Sequence, residues 1–258
     1  MNRPERHAKI LSLISENSAI SVNELSRITK ASQATIRRDL TELEGEGIIE
    51  RFHGGAVFSD KKVFEISFDR RKNHFIEEKR AIAEAAIRFI EDDSTVILDA
   101  GTTALQIAKK LCELSRNVHL VTNSLAIANE TAGCSEIDLT LLGGRIDWRN
   151  MATVGHVGVE YLRELKADLA FIGANAVYPC EGVFAVEENS ALLNRAMVRS
   201  SKMVIVVCDS SKFHKEAHFR AVTPEQIDYI VTGSSTDRDI LDALKEKGVA
   251  VIIAGKAY

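Results

Sequence analysis

The sequence predicts two units of different class: a small N-terminal winged helix-turn-helix over residues 1–58, and a larger C-terminal Rossmann-like α/β unit over 76–258, joined by a linker at 59–75. Three observations carry that division. Up to about Phe58, apolar residues recur at helical spacing in short blocks and then flank a glycine turn. From about Glu77 onward, apolar runs of strand length alternate with amphipathic helical stretches, the pattern of a parallel sheet covered by helices. Between them lies Ser59-Asp60-Lys61-Lys62 and a mixed stretch to His74, with Phe64, Ile66 and Phe68 in alternation.

In the first unit, Ile10, Leu11, Leu13 and Ile14 form one face of a first helix. Ser21-Val22-Asn23-Glu24 is a capping box, which starts a second helix with Val22, Leu25 and Ile28 inward. Ala31-Ser32 interrupts the pattern, and Ser32 is the expected N-cap of a third helix with Ile36, Leu40 and Leu43 inward, ended by Gly45 and Gly47. Ile48 to Phe52 and Ala56 to Phe58 flank His53-Gly54-Gly55, the outline of a two-stranded ribbon.

The third helix points to nucleic acid. With Ile36, Leu40 and Leu43 inward, Gln33, Ala34, Arg37, Arg38 and Thr41 face outward. Glutamine matches an adenine edge, arginine a guanine edge, and either grips phosphate. The candidate DNA-binding residues are therefore Ser32, Gln33, Thr35, Arg37 and Arg38, with Arg51 and His53 on the ribbon. The competing reading is a solvated face in which Asp39 or Glu42 neutralises the arginines.

Bulk composition excludes several classes. With 45% hydrophobic residues and a formal net charge of -4, the chain has material for a large core and is not a polybasic coat. Its charge is balanced through Phe58, so the acidic excess lies beyond it. The four cysteines, Cys112, Cys134, Cys180 and Cys208, are dispersed, which reads as reduced residues of a cytosolic protein without a disulfide framework or structural zinc. No signal-peptide pattern opens the chain, and no apolar run approaches the roughly 20 residues of a membrane helix. A cytoplasmic location with no metal and no cofactor is expected.

In the second unit, Val96-Ile97-Leu98 reads as a buried strand ending in Asp99-Ala100-Gly101-Thr102-Thr103 before a helix. The arrangement recurs: Val118 to Val121 ends in Thr122-Asn123-Ser124, Ile137 to Leu142 in Gly143-Gly144-Arg145, Leu169 to Ile172 in Gly173-Ala174-Asn175, and Met203 to Cys208 in Asp209-Ser210-Ser211-Lys212. Open α/β sheets bind ligands at the carboxyl ends of their strands, and a Gly with hydroxyls at a helix start suits phosphate. The candidate ligand-binding residues are Asp99, Gly101, Thr102, Thr103, Thr122, Asn123, Ser124, Gly143, Gly144, Asn175, Arg195, Asp209 and Lys212. Thr223-Pro224-Glu225-Gln226 is a structural capping box, and Trp148-Arg149 suits a lid, a subunit contact or a surface anchor.

Thr35-Ile36-Arg37-Arg38-Asp39-Leu40, Leu43-Glu44 and Arg51-Phe52-His53-Gly54-Gly55-Ala56 resemble the N-terminal signature of the DeoR family of bacterial sugar-metabolism regulators. The resemblance continues, in order, through Asp99-Ala100-Gly101-Thr102-Thr103, Thr122-Asn123-Ser124, Gly143-Gly144 and Asp209-Ser210-Ser211-Lys212-Phe213. It implies an operator-binding winged helix and a sensor domain similar to the sugar-phosphate isomerase and CoA-transferase superfamily. It also implies repression relieved by a phosphorylated sugar or derivative, and a homodimer or homotetramer. The chain departs from the family pattern at Ala176-Val177-Tyr178, where Gly-Ile-Asp is frequent, and at Ser190-Ala191 and Asn194-Arg195, where Glu-Ala and Lys-Arg are frequent. A charged pair is thus replaced by neutral polar residues, with Arg195 left as a candidate anion ligand. The alternative is a sugar-phosphate isomerase using Asp99, Glu181 or Asp209 as base. No motif joins a base to an electrophile, so an enzyme is not expected.

Overall fold

A computed structural model describes residues 2–17, 19–45, 49–52, 54–58 and 68–255. The chain divides into two compact units, Met1–Ile66 and Ser67–Tyr258. Among the described residues, no helix is long and apolar enough to cross a membrane.

The first unit runs α1 (Arg3–Asn17), β1 (Ala19–Ser21), α2 (Val22–Thr29), α3 (Gln33–Gly45), β2 (Ile49–Phe52) and β3 (Gly55–Phe58). The capping box forms as expected: Glu24 N–H donates to Ser21 Oγ at 3.2 Å, and Ser21 N–H donates back to the Glu24 carboxylate at 3.3 Å. Lys30, in the left-handed region at φ 56°, closes α2, and Ser32 Oγ accepts from Thr35 N–H at 3.2 Å to open α3. The three strands form an antiparallel sheet in the order β1-β3-β2. Gly55 is required at its centre, because a Cβ there would lie 2.5 Å from the Ile20 carbonyl oxygen. Ile10, Ile14, Leu25, Ile36, Leu40, Leu43 and Ile49 fill the core. The expected inward residue Ile28 is instead 39% exposed, because α2 turns Thr29 inward, where its hydroxyl donates to the Leu25 carbonyl at 2.6 Å. Gly47 and His53 lie outside the described residues.

The second unit begins at α4 (Phe68–Asn73) and α5 (Ile76–Ala86). Phe68 is buried in the same cluster as Ile82, Val96 and Leu105, so residues 68–75 of the expected linker belong to this unit. There follow β4 (Ser94–Leu98), α6 (Thr102–Leu114), β5 (Val118–Thr122), α7 (Leu125–Thr131), β6 (Ile137–Leu141), β7 (Arg145–Asp147), β8 (Ala152–Val154), α8 (His156–Arg163), β9 (Ala167–Ile172), β10 (Ala176–Tyr178), β11 (Gly182–Ala185), α9 (Glu188–Arg199), β12 (Ser201–Cys208), β13 (Phe219–Val222), β14 (Tyr229–Thr232), α10 (Arg238–Glu246) and β15 (Ala250–Ile253). The Thr223 capping box opens a 3₁₀ turn at Pro224–Gln226 rather than an α-helix.

Seven parallel strands form the main sheet in the order β15-β14-β12-β9-β4-β5-β6. Period-2 alternation divides its apolar side chains between two faces: Val96, Leu98, Phe171 and Val207 pack with α5 and α6, while Ile97, Ile172 and Val206 pack with α8 and α9. A small antiparallel sheet, β10-β11-β13, and a hairpin, β7-β8, complete the unit. The structure corrects the reading of the cysteines: Cys112 on α6 and Cys134 after α7 form a disulfide, with Cα atoms 5.6 Å apart. They are 22 residues apart in sequence, but consecutive parallel strands bring α6 and α7 side by side. Cys180 and Cys208 are free.

Candidate functional sites

On α3, Ile36, Leu40 and Leu43 are buried, and Ser32, Gln33, Ala34, Arg37, Arg38 and Thr41 are exposed. Asp39 is buried as well. Arg6 grips it through two nitrogens, at 2.6 and 3.0 Å, and His7 Nε2 lies 3.3 Å away. Burial pushes the Asp39 carboxyl up, but Arg6 and His7 outweigh it and hold the group below the usual carboxylate range. Glu42 pairs with Arg3 and lies 3.7 Å from His7. Both acids that were the expected partners of Arg37 and Arg38 are therefore engaged by Arg3, Arg6 and His7 of α1. Arg38 makes no ion pair among the described residues, and Arg37 reaches only Gln33 Oε1, at 3.5 Å. His7, Asp39 and Glu42 are spaced for metal ligation, but the two arginines already neutralise the carboxylates.

Three expected contact residues have local duties. Ser32 and Thr35 bond to each other at 2.9 Å in the α3 cap. Arg51 donates to Thr41 Oγ1 at 2.8 Å and lies 3.7 Å from Glu44, so it ties β2 to α3. The seventh candidate, His53, is not among the described residues.

In the second unit, strand order reverses at β4: β5 and β6 lie to one side, and β9, β12, β14 and β15 to the other. This is the switch point at which open α/β sheets leave a crevice beyond their carboxyl ends. Asp99 follows β4 there. Its Oδ2 accepts from Gly173 N–H at 3.1 Å, beyond β9, and from Asn194 Nδ2 on α9 at 3.2 Å. Burial pushes the Asp99 carboxyl up, and its hydrogen bonds and Arg71 oppose that only in part. Gly101 caps α6 without a side chain, so the first amides of that helix have no capping acceptor, and Thr102 and Thr103 stand buried beside them.

Beyond β12, Asp209 accepts from Ser211 N–H at 3.2 Å and lies 3.9 Å from Lys79 Nζ. Burial raises its carboxyl, but Lys212 and Lys79 outweigh burial and hold it below the usual range. Lys79 is only 2% exposed, and its ammonium donates to the carbonyls of Arg71 at 2.5 Å and His74 at 2.6 Å. Burial lowers Lys79 to about 8, against the pull of Asp209, with Lys212 and Arg71 pushing the same way as burial. Burial likewise lowers Lys212 and Arg71. Arg71 donates to Asn150 Oδ1 at 2.5 Å, while its buried Nε has no partner among the described residues. The buried Oδ1 of Asn123 has none either.

A model described as DeoR-like helix-turn-helix domain matches residues 6–62, and one described as DeoR C terminal sensor domain matches residues 74–234. The HTH-type transcriptional regulator GlpR of Haloferax volcanii is 34% identical over 96% of this chain and 96% of its own. Transcriptional repressor AccR of Agrobacterium fabrum is 34% identical over 94% of each chain. The chain belongs to the DeoR family of transcriptional regulators.

As a DeoR-family member it is a DNA-binding transcription regulator and not an enzyme. A solved structure of ribose 5-phosphate isomerase A from Methanocaldococcus jannaschii overlays 54% of this chain and 55% of its own at 18% identity, with a TM-score of 0.41. Glu181, the third base considered for isomerase chemistry, is exposed at the turn between β10 and β11.

Within the DeoR sensor fold, several strand-end residues make scaffold contacts. Thr122 and Ser124 are fully buried: the Thr122 hydroxyl donates to the Leu98 carbonyl at 2.6 Å, and Ser124 Oγ caps α7 by accepting from Ile127 N–H. Gly144, at φ 144°, is a glycine because a Cβ would lie 2.5 Å from the Val154 carbonyl oxygen, and Gly143 shares that turn. Asn175 Oδ1 accepts from Val186 N–H at 3.3 Å and braces β11. Arg195 donates to the Arg220 carbonyl on β13, and its neighbour Asn194 is the residue that meets Asp99. Successive helical residues point about 100° apart, so both cannot face Asp99. The sequence reading also omitted Arg71 and Lys79. A signal for Lys79 was present, since Lys79, Ile82, Ala83 and Ala86 are the buried stripe of α5.

Proposed function

We propose that the chain represses a carbohydrate-utilisation operon in the cytoplasm, as a homodimer or homotetramer, and is released from its operator by a phosphorylated sugar or derivative. On this reading α3 enters the major groove, with Gln33, Arg37 and Arg38 contacting bases and phosphates and Arg51 holding the ribbon to the helix. The effector's phosphate sits among Arg71, Lys79, Lys212 and the first turn of α6 at Gly101, Thr102 and Thr103. Its hydroxyls face Asp99, Asn123 and Asp209.

One observation carries the effector assignment: Arg71, Lys79 and Lys212 are coupled to Asp99 and Asp209 beyond the carboxyl ends of β4 and β12, and burial together with mutual repulsion depresses the lysines there. Such an arrangement favours an incoming dianion. The unpartnered Arg71 Nε and Asn123 Oδ1 supply one donor and one acceptor for a polar ligand. Calorimetric titration with pentose and hexose phosphates, and with the same sugars lacking phosphate, tests it. Binding of a phosphorylated compound, abolished by Lys212→Ala, supports the assignment. Equal binding of the unphosphorylated sugar overturns it.

A further inference from the structure

We propose that Asn23, on α2, is a specificity-determining residue for operator recognition: it fixes the orientation of the Gln33 amide without itself reading a base. The inference rests on the reading of α3 as the DNA-contacting helix. Both side chains are exposed, and Gln33 Nε2 donates to Asn23 Oδ1 at 2.8 Å. On the other side of the same amide, the Arg37 guanidinium lies 3.5 Å from Gln33 Oε1.

The chemistry of these groups gives the chain a direction. A guanidinium carries only donors, so the Gln33 atom that faces Arg37 must be its oxygen. The Gln33 nitrogen then faces Asn23, which must present its own oxygen. Arg37, Gln33 and Asn23 therefore form a polarised relay from α3 to α2, with each amide held in one of its two orientations. Within that relay Gln33 keeps one free N–H and one oxygen lone pair. That pair, in a fixed left-to-right order, is what an adenine edge requires. Without Asn23 the terminal torsion of Gln33 is broad and roughly two-fold, and both amide orientations are populated. Base preference then weakens at one position, while the contacts of Arg37 and Arg38 with DNA are unaffected.

The test is selection from a randomised duplex pool by the full-length protein, with sequencing of the bound fraction, for wild type, Asn23→Ala, Asn23→Asp and Gln33→Ala. Asn23→Ala is expected to lose roughly 2- to 10-fold of the base preference at the same position that Gln33→Ala affects, with other positions unchanged. Asn23→Asp retains the acceptor oxygen. It is expected to keep the preference at that position while its added negative charge weakens binding to all sequences alike. An unchanged preference in Asn23→Ala, or a loss spread evenly over all positions, overturns the proposal. A wild-type protein that selects no sequence overturns the DNA-reading assignment of α3 itself, a failure distinguishable from the first.

Discussion

Arg6 and Asp39 form a two-pronged ion pair between α1 and α3, at 2.6 and 3.0 Å, with the carboxylate side chain only 5% exposed. This contact engages Asp39 from α1, and among the described residues neither Arg37 nor Arg38 makes an ion pair. Asp39→Ala strands Arg6 and is expected to cost the N-terminal unit about 3 kcal/mol. Faster hydrogen exchange of the α3 amides checks it. The pH dependence has a definite sign. The folded carboxyl lies below its unfolded value, so its contribution is complete above about pH 4 and disappears as pH falls through the lower folded value. Acid unfolding monitored by circular dichroism is expected to lose that increment in Asp39→Asn.

Arg37→Ala and Arg38→Ala are each expected to weaken operator binding by about 1–3 kcal/mol, depending on whether the contact is to a base or a phosphate. A phosphate contact lowers the slope of log affinity against log salt by about 1 per residue. Anisotropy titrations at several salt concentrations separate the two roles.

Gly144→Ala is expected to destabilise the sensor unit by about 2–3 kcal/mol, because φ is 144° and the new Cβ meets the Val154 carbonyl oxygen at 2.5 Å. Gly143→Ala is the control. Its Cβ meets only a methyl of Val157, at 3.3 Å, and a cost below about 1 kcal/mol is expected. Urea unfolding followed by the fluorescence of Trp148 compares the two.

Effector affinity is expected to fall as pH rises above about 8. Free Lys79 loses its proton there, and a bound phosphate favours the charged form, so binding must take the proton back up. Calorimetry in buffers of different ionisation enthalpy is expected to show proton uptake near pH 8 to 9, reduced in Lys79→Met.

Thiol labelling checks the cysteine arrangement. Cys180 is exposed, whereas Cys208 is buried with its thiol pushed up by burial. The native protein is expected to label rapidly at Cys180 alone, with Cys112 and Cys134 reacting only after reduction.

Much of this was legible in the sequence because period alone carries it. Ile36, Leu40 and Leu43 give the buried stripe of α3 and therefore its outer face. Val96 and Leu98 against Ile97 mark a strand covered on both sides. What escaped depends on three-dimensional neighbours. Lys79 reads as a surface charge until its place in the α5 stripe is seen, and Arg71 falls in a stretch whose composition resembles a linker. Arg195 and Asn194 differ by one residue in sequence and by which of them faces Asp99. The Cys112–Cys134 pair becomes visible only when the order of the strands is known.

The most direct measurement is fluorescence anisotropy of the protein on DNA from upstream of its own coding sequence, at fixed salt, with and without a panel of sugar phosphates. The expected result is sequence-specific binding that one phosphorylated compound weakens, with the operator lowering affinity for that compound by the same factor. Specific binding indifferent to every compound, or effector affinity unchanged at saturating operator, contradicts the coupling between sensor and DNA-binding unit.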